Sequence, residues 1–175
     1  MRTRRLSPAL AALAAALGVT LTVLSHAEPP PRAPFTDELL SRLEGRWNLV
    51  RQIRGKEVRN TVEARWVLAH QFLEMHMKDV NEPPAYEAIV LIGFDDDAHH
   101  YVAHWTDTWG AKFAALGKGT RTGDAIEFRF DYPDGPFFNT FTWNAERKTW
   151  TFRGENQDAD GKRNLFLLDT LERAP

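Results

Sequence analysis

The densest group of side chains that could carry out chemistry lies between His99 and Trp109, in the stretch HHYVAHWTDTW. Its three histidines, two tryptophans and one aspartate could form a metal site, a ligand pocket or one wall of a β-barrel. The aromatic and β-branched residues around them favour a strand. On a strand, His100 and His104 are roughly 13 Å apart, too far for one zinc ion to bind both directly. We therefore predict no metal site here.

Polar residues interrupt several otherwise apolar strand faces, at Arg51, Asp107, Asn139 and Asp169. A buried charge without a partner is strongly destabilising, so these groups must be paired, hydrated or near an open end of the fold. They either contact water at the ends of a barrel or orient a small ligand in a partly polar cavity with aromatic walls. With the neighbouring apolar side chains, the candidate ligand-binding residues are Arg51, Trp66, Met75, Tyr101, Trp105, Asp107, Asn139 and Asp169.

Ten short segments with two-residue alternation must position these side chains. The predicted strands are Arg46–Arg54, Thr61–Leu68, Phe72–Val80, Tyr86–Asp95, His99–Asp107, Phe113–Thr120, Ala125–Asp131, Pro136–Trp143, Thr149–Asn156 and Asn164–Arg173. Nearly every break between them contains Gly, Pro, Asn or Asp, which favour turns. A short helix precedes them in FTDELLSRLEG, where Thr36 can cap the first turn and Gly45 can end the last. We predict an all-β fold, an antiparallel up-and-down barrel of about ten strands with a short N-terminal helix.

The more apolar side of each predicted strand should face the barrel interior. The side chains predicted to point inward are Trp47, Leu49, Val62, Ala64, Trp66, Leu68, Leu73, Met75, Met77, Tyr86, Ala88, Val90, Ile92, Tyr101, Ala103, Trp105, Ile126, Phe128, Phe130, Phe137, Phe141, Trp143, Trp150, Phe152, Leu165, Leu167 and Leu171. The opposite positions carry charged residues such as Glu63, Arg65 and Glu127, as expected for a sheet with one face in water.

Residues 1–27 have the layout of a cleaved secretory signal peptide. MRTRR is positively charged, Leu6–Leu24 is apolar, and Ser25-His26-Ala27 offers a cleavage site. The alternative is an uncleaved signal anchor, because the apolar run is nearly long enough to span a bilayer. We predict cleavage, a proline-rich linker over residues 28–35 and a barrel domain over residues 36–175. The mature protein would then be periplasmic or secreted, without membrane association.

Composition argues against several function classes. The 175-residue chain contains no cysteine, so it has no disulfide and no cysteine nucleophile. Residues 1–27 carry three of the 22 basic residues and none of the 24 acidic ones, which leaves the mature chain at −5 with neutral histidines. A mildly acidic chain with scattered basic residues is not expected to bind nucleic acid. Ser41 is the only serine after residue 27, and no Gly-x-Ser-x-Gly motif or glycine-rich phosphate loop occurs.

The segment LEGRWNL, residues 43–49, follows the predicted helix and is similar to the Gly-x-Trp start of calycin-type barrels: lipocalins, fatty-acid-binding proteins and nitrobindins. RWVLAHQFLEM, IGFDDDAHHYVAHWTDTWG and a glycine-bearing strand near Gly117 resemble more specifically an uncharacterised bacterial family of exported, lipocalin-like proteins of unknown function. The matching positions are Gly45, Trp47, Gly93, Phe94, Asp95, Tyr101, Trp105 and Asp107. The resemblance spans about Leu43 to Leu171 and implies a ten-strand barrel without an established activity.

The same resemblance bears on cofactors, because haem-binding nitrobindins ligate iron through a histidine near the C-terminus. Here the last histidine is His104, so we predict no haem and no other cofactor. We predict an exported carrier or sensor for a small hydrophobic or amphipathic molecule. One alternative is a lyase or isomerase that uses His104, Asp107 or Asp169 as acid or base. The other is a filled barrel that acts as a protein interaction module. The sequence leaves the ligand and the oligomeric state open.

Overall fold

A computed structural model describes residues 32–175, which contain one short α-helix, one 3₁₀ helix and ten strands. The elements are α1 (Glu38–Ser41), β1 (Gly45–Ile53), β2 (Lys56–Val67), β3 (Phe72–Asp79), β4 (Glu87–Asp95), β5 (His100–Asp107), the 3₁₀ helix (Ala111–Phe113), β6 (Ala115–Thr122), β7 (Ala125–Tyr132), β8 (Gly135–Asn144), β9 (Thr149–Gln157) and β10 (Arg163–Arg173). The predicted signal peptide and linker residues 28–31 lie outside the described residues.

The ten strands form a closed antiparallel barrel in which each strand pairs with its neighbours in sequence. The barrel closes where β1 pairs with β10, from Trp47 opposite Arg173 to Ile53 opposite Leu167. Short turns make this connectivity feasible. Between β1 and β2 the chain needs only Arg54 and Gly55, both with positive φ, as two-residue type I′ hairpin turns require. The predicted up-and-down, ten-stranded all-β barrel with a short N-terminal helix is confirmed.

The helix α1 is a single turn, and it differs from the prediction at both ends. Its N-cap is Asp37 rather than Thr36, and the Asp37 carboxylate accepts a hydrogen bond from the Leu40 backbone N–H at 2.7 Å. A carboxylate suits this position because the first turn of a helix presents unpaired N–H groups. Gly45 does not end the helix; it begins β1 with a φ of 114°. No helix among residues 32–175 is long and apolar enough to cross a membrane.

The barrel interior holds most of the apolar side chains that the alternation predicted, but two predicted interior leucines are exposed. Leu68 is 64% exposed because β2 ends at Val67 and the next three residues turn with positive φ. Leu165 is 54% exposed because the β9–β10 register shifts between Leu165 and Leu167. This β-bulge reverses the side-chain alternation on its N-terminal side, so Leu165 points outward.

One end of the barrel is filled by side chains and covered by α1. Leu39, Leu40 and Leu43 are fully buried against the barrel core. The indole N–H of Trp47, at the start of β1, donates to the Leu43 carbonyl at 2.7 Å. Asp37 accepts a hydrogen bond from the hydroxyl of Tyr101, at the start of β5. We call this region, where β1 and β5 begin, the closed end.

Candidate functional site

A cavity of about 800 Å³ occupies the end of the barrel opposite α1. Its walls come from the C-terminal halves of odd-numbered strands and the N-terminal halves of even-numbered ones, because consecutive strands run in opposite directions. Residues at or beside the connections, such as Arg54, Trp109 and Asp134, also line it. The volume lies within the range of small-molecule binding sites. We call this region the open end.

Aromatic rings form most of the apolar cavity wall. Consecutive ring contacts, with centroid separations of 5.8–6.3 Å, run through Trp105, Phe130, Tyr132, Phe137 and Phe166. A second series joins Tyr86, Trp109 and Phe113, with centroids 6.0 Å apart at both contacts. Trp109 is 60% exposed at the cavity mouth. These rings offer a ligand a large apolar surface with little side-chain entropy to lose.

An ion pair between Arg51 and Asp169 lies at the inner side of the cavity. The Arg51 Nε donates to Asp169 Oδ2 at 3.1 Å, and the two side chains are only 6% and 2% exposed. The guanidinium also lies over the Tyr86 ring, 5.0 Å from its centroid, and one of its NH₂ groups is 3.3 Å from the Met77 sulfur. Burial raises the pKa of Asp169 to about 6, although the positive charge of Arg51 opposes that rise. At neutral pH the pair is therefore charged.

Asp107 is the centre of a second polar group on the cavity wall. The Tyr86 hydroxyl donates to Asp107 Oδ2 at 3.2 Å and accepts from the Trp105 indole N–H at 3.3 Å. The Trp109 backbone N–H donates to the other carboxylate oxygen at 2.9 Å. Burial raises the pKa of Tyr86 to about 12, and the Asp107 charge adds to the rise. Tyr86 therefore stays protonated at neutral pH and serves as a hydrogen-bond donor.

Two buried asparagines add polar groups without a protein partner. Asn60 and Asn139 line the cavity and are 2% and 3% exposed. The Asn139 Oδ1 and both polar side-chain atoms of Asn60 make no hydrogen bond within residues 32–175. A buried polar atom without a partner costs about 1–3 kcal/mol. Both asparagines therefore leave hydrogen-bonding capacity unused beside the cavity.

Five of the eight predicted ligand-binding residues meet at the open end. Arg51, Trp105, Asp107 and Asn139 line the cavity directly. Asp169 is 1% exposed and contributes through its ion pair with Arg51. The structure thus brings together all four polar residues that interrupt the apolar faces.

The other three predicted residues, Trp66, Met75 and Tyr101, lie outside the cavity lining. Met75 is fully buried in the barrel core. Trp66 stacks on His70 with ring centroids 4.2 Å apart, and Tyr101 donates to Asp37 at the closed end. All three side chains point into the barrel, as the alternation predicts, but they lie too far along the barrel axis to reach the candidate site.

Sequence reasoning did not select Asn60 and Asp79, two buried polar residues of the cavity lining. Asn60 lies in the break before the predicted strand Thr61–Leu68, whereas β2 begins at Lys56, so Asn60 continues the inward series of Val62. Asp79 follows Met77 at the same spacing on β3, and one of its carboxylate oxygens accepts two hydrogen bonds from Asn81. Extending the alternation before Thr61 identifies Asn60, and Asp79 already lies inside the predicted strand Phe72–Val80 on the side of Met75 and Met77.

The histidines of the stretch from His99 to Trp109 lie away from the cavity lining. His104 is exposed on the outer face of β5, beside the Phe72 ring. His100 shares that outward parity, and its Nδ1 lies 3.3 Å from the Ala98 carbonyl oxygen. Among residues 32–175, no three metal-ligating side chains are grouped as a cation site would require.

The chain matches one protein family, and it resembles solved structures that bear on its fold. The family described as "Protein of unknown function (DUF1579)" matches residues 36–167. The crystal structure of Rv2717c from M. tuberculosis is 14% identical, with a TM-score of 0.54 over 78% of this chain and 95% of that chain. At this identity the likeness concerns the fold alone. No curated protein matches the chain.

Proposed function

The chain belongs to the DUF1579 family of proteins of unknown function, and we propose a role for it on the basis of its cavity. In this proposal the protein is an exported barrel that binds a small, partly apolar molecule and acts as a carrier or sensor. The observation that carries this proposal is the 800 Å³ cavity, which combines an aromatic wall with buried polar groups at its inner side. A filled barrel that acts only through its outer surface has no need of such a space. Each 100 Å² of apolar ligand surface buried there contributes roughly 2.5 kcal/mol before the losses of binding.

Acid–base catalysis is the less supported alternative. The cavity does contain two titratable groups in hydrogen-bond reach, the Tyr86 hydroxyl and the Asp107 carboxylate, 3.2 Å apart. A general base or acid works best with a pKa near the working pH. The pKa of Tyr86 is instead raised to about 12, so this hydroxyl holds its proton. Asp169, whose pKa is raised to about 6, is 1% exposed, is paired with Arg51 and is not part of the cavity lining. The pair of Tyr86 and Asp107 is better suited to fixing the orientation of a bound molecule.

Native mass spectrometry of the protein purified from its own host tests the proposal directly. We expect a retained small molecule, or a mass shift on incubation with a host metabolite extract. Asn139→Phe places a ring in the cavity and should abolish this shift. Thr142→Phe, on the exposed face of the same strand, is the matched control and should leave it unchanged. Equal retention by both variants, or none by the unmodified protein, would reject the proposal.

Export is part of the proposal and has its own test. The Ser25-His26-Ala27 sequence predicts signal-peptidase cleavage before Glu28. Intact-mass analysis of the periplasmic or secreted fraction should give a chain that starts at Glu28. Ala27→Arg should block cleavage and leave the precursor in the membrane fraction. Recovery of the uncut chain in the cytoplasm would contradict export and leave the binding proposal to be judged by its own experiment.

A further inference from the structure

The cavity offers a ligand more negative than positive charge. Its lining holds three carboxylates, those of Asp79, Asp107 and Asp134, and two guanidinium groups, those of Arg51 and Arg54. Asp169 is not part of the lining, but it balances the charge of Arg51. Both guanidinium groups already have a partner in the protein. Arg51 is paired with Asp169, and Arg54 lies over the Phe166 ring, 4.9 Å from its centroid. In a concave site lined on several sides, such an excess of negative charge favours a cation over an anion.

Aromatic residues lie beside the Asp107 carboxylate. Tyr86 donates to it, the backbone of Trp109 donates to it, and its charge reaches Tyr132 closely enough to contribute to that residue's raised pKa. The face of an aromatic ring carries partial negative charge and attracts ammonium groups, with Trp the strongest and Tyr next. A carboxylate among such rings therefore attracts a cation in two ways at once.

The buried asparagines give an independent indication of the same chemistry. Asn139 Oδ1 and Asn60 Oδ1 are acceptors without a donor in the described chain, on side chains more than nine-tenths buried in the cavity wall. A protonated primary amine has three N–H donors and no acceptor. It can therefore donate both to a carboxylate and to an amide oxygen, whereas a carboxylate ligand offers only acceptors. Among the three asparagine atoms without a partner, two are acceptors and one, the Asn60 Nδ2, is a donor.

We infer that the bound molecule is an organic amine, with its ammonium group held by Asp107 and its apolar body against the rings of Phe130 and Phe137. This inference rests on the proposed function and names the class of its ligand. The arrangement predicts an order of affinity among molecules of one shape: cation first, neutral alcohol second, carboxylate last. A charged hydrogen bond and a ring contact together should give the amine an advantage of about tenfold or more over the alcohol.

Isothermal titration calorimetry with three matched probes tests this order. The probes are 1-naphthylmethylamine as the cation, 1-naphthylmethanol as the neutral alcohol and the anion of 1-naphthaleneacetic acid as the carboxylate. Asp107→Asn keeps an acceptor for Tyr86 and should remove the amine's advantage while alcohol binding stays within about twofold. Asp131→Asn removes the same charge from the exposed outer end of β7, where Asp131 pairs with Arg129, and should change neither. Circular dichroism would verify that each variant retains the barrel.

The outcomes separate this inference from the proposed function. Amine and alcohol of equal affinity, or tightest binding of the acid, would overturn the amine assignment while binding itself stands. So would an amine advantage that survives Asp107→Asn. If no probe binds while the native mass spectrum contains a retained molecule, the inference fails alone. If no probe binds and no molecule is retained, the proposed function fails with it.

Discussion

Arg51 and Asp169 lie directly opposite each other on β1 and β10, and their side chains form a buried ion pair across the seam that closes the barrel. The two residues are 118 positions apart in sequence. The pair therefore joins the first and last strands at the point where the open cavity meets the packed core. The pair therefore affects both the stability of the closed barrel and the inner surface of the candidate site.

Removing one member of this pair should destabilise the fold strongly. Arg51→Met leaves the Asp169 carboxylate buried without its cation, and we expect the free energy of unfolding to fall by about 3–5 kcal/mol at pH 7.5. Arg51→Met combined with Asp169→Leu should recover most of this loss, because no unpaired charge remains. Urea denaturation gives both values. As a control, Arg59→Met breaks an exposed pair with Glu57 and should cost less than about 1 kcal/mol. Equal losses for the single and double variants would contradict this account.

The Asp169 carboxyl should also make the free energy of unfolding depend on pH. Its contribution should decrease as pH rises, which is the opposite of the usual effect of a paired carboxylate. Burial raises the pKa of Asp169 to about 6 in the folded protein, above the ordinary value of 3.8 expected on unfolding. Between these values the folded chain binds more protons than the unfolded chain, so this group's contribution to stability falls as pH rises from about 4 to about 6. Asp169→Asn removes the contribution. The difference in unfolding free energy, unmodified protein minus variant, should therefore decline over that window by about 1–3 kcal/mol. A difference that rises with pH would contradict the assignment.

The alternation predicts which side chains face inward at most positions, with exceptions such as Leu68 and Leu165, but it does not predict their height along the barrel. Trp66 and Tyr101 have the right face for a ligand site, yet they lie at the closed end because β2 ends there and β5 begins there. Arg51 and Asn139 lie at the open end for the converse reason, on an odd-numbered and an even-numbered strand. Up-and-down connectivity alone would have separated these two groups.

Other features depend on local backbone geometry that no pattern of residue types reports. The β-bulge before Leu167 and the left-handed turn after Val67 both reverse or end the alternation without a Gly or Pro to mark them. The cavity itself results from packing. Rings as well as aliphatic side chains fill the barrel toward α1, with Trp47 and Trp150 fully buried there, while the rings at the other end line the cavity. The alternation of residue types predicts most of the inner side chains but not the space between them.

Substitution of two glycines of β6, Gly117 and Gly119, should separate an effect on stability from an effect on ligand binding. A methyl group at Gly117 would lie 2.6 Å from the Phe130 ring, and one at Gly119 would lie 2.6 Å from the Phe128 ring. Both rings would have to move, so we expect each Gly→Ala variant to lower the unfolding free energy by about 1–3 kcal/mol. Phe130 lines the cavity whereas Phe128 does not. Binding of 1-naphthylmethanol, measured by calorimetry, should therefore weaken in Gly117→Ala and remain unchanged in Gly119→Ala.

The closed end should depend on Asp37 far more than on Thr36. The Asp37 carboxylate accepts from the Leu40 N–H, the Tyr101 hydroxyl and the Arg121 guanidinium, and so ties α1 to β5 and β6. Asp37→Ala removes a helix cap and leaves the Tyr101 hydroxyl without its acceptor, so we expect a loss of about 2–3 kcal/mol in urea denaturation.

Thr36→Ala is the matched control for Asp37→Ala, because Thr36 is the residue that the sequence pattern first suggested as the cap. We expect it to change the unfolding free energy by no more than about 0.5 kcal/mol. A double-mutant cycle with Tyr101→Phe should give a coupling energy of about 0.5–3 kcal/mol for Asp37 and close to zero for Thr36, since only Asp37 bonds that hydroxyl. Similar losses for both single variants would show that α1 is capped in solution by Thr36, and the contact between α1 and β5 would then need another source of stability.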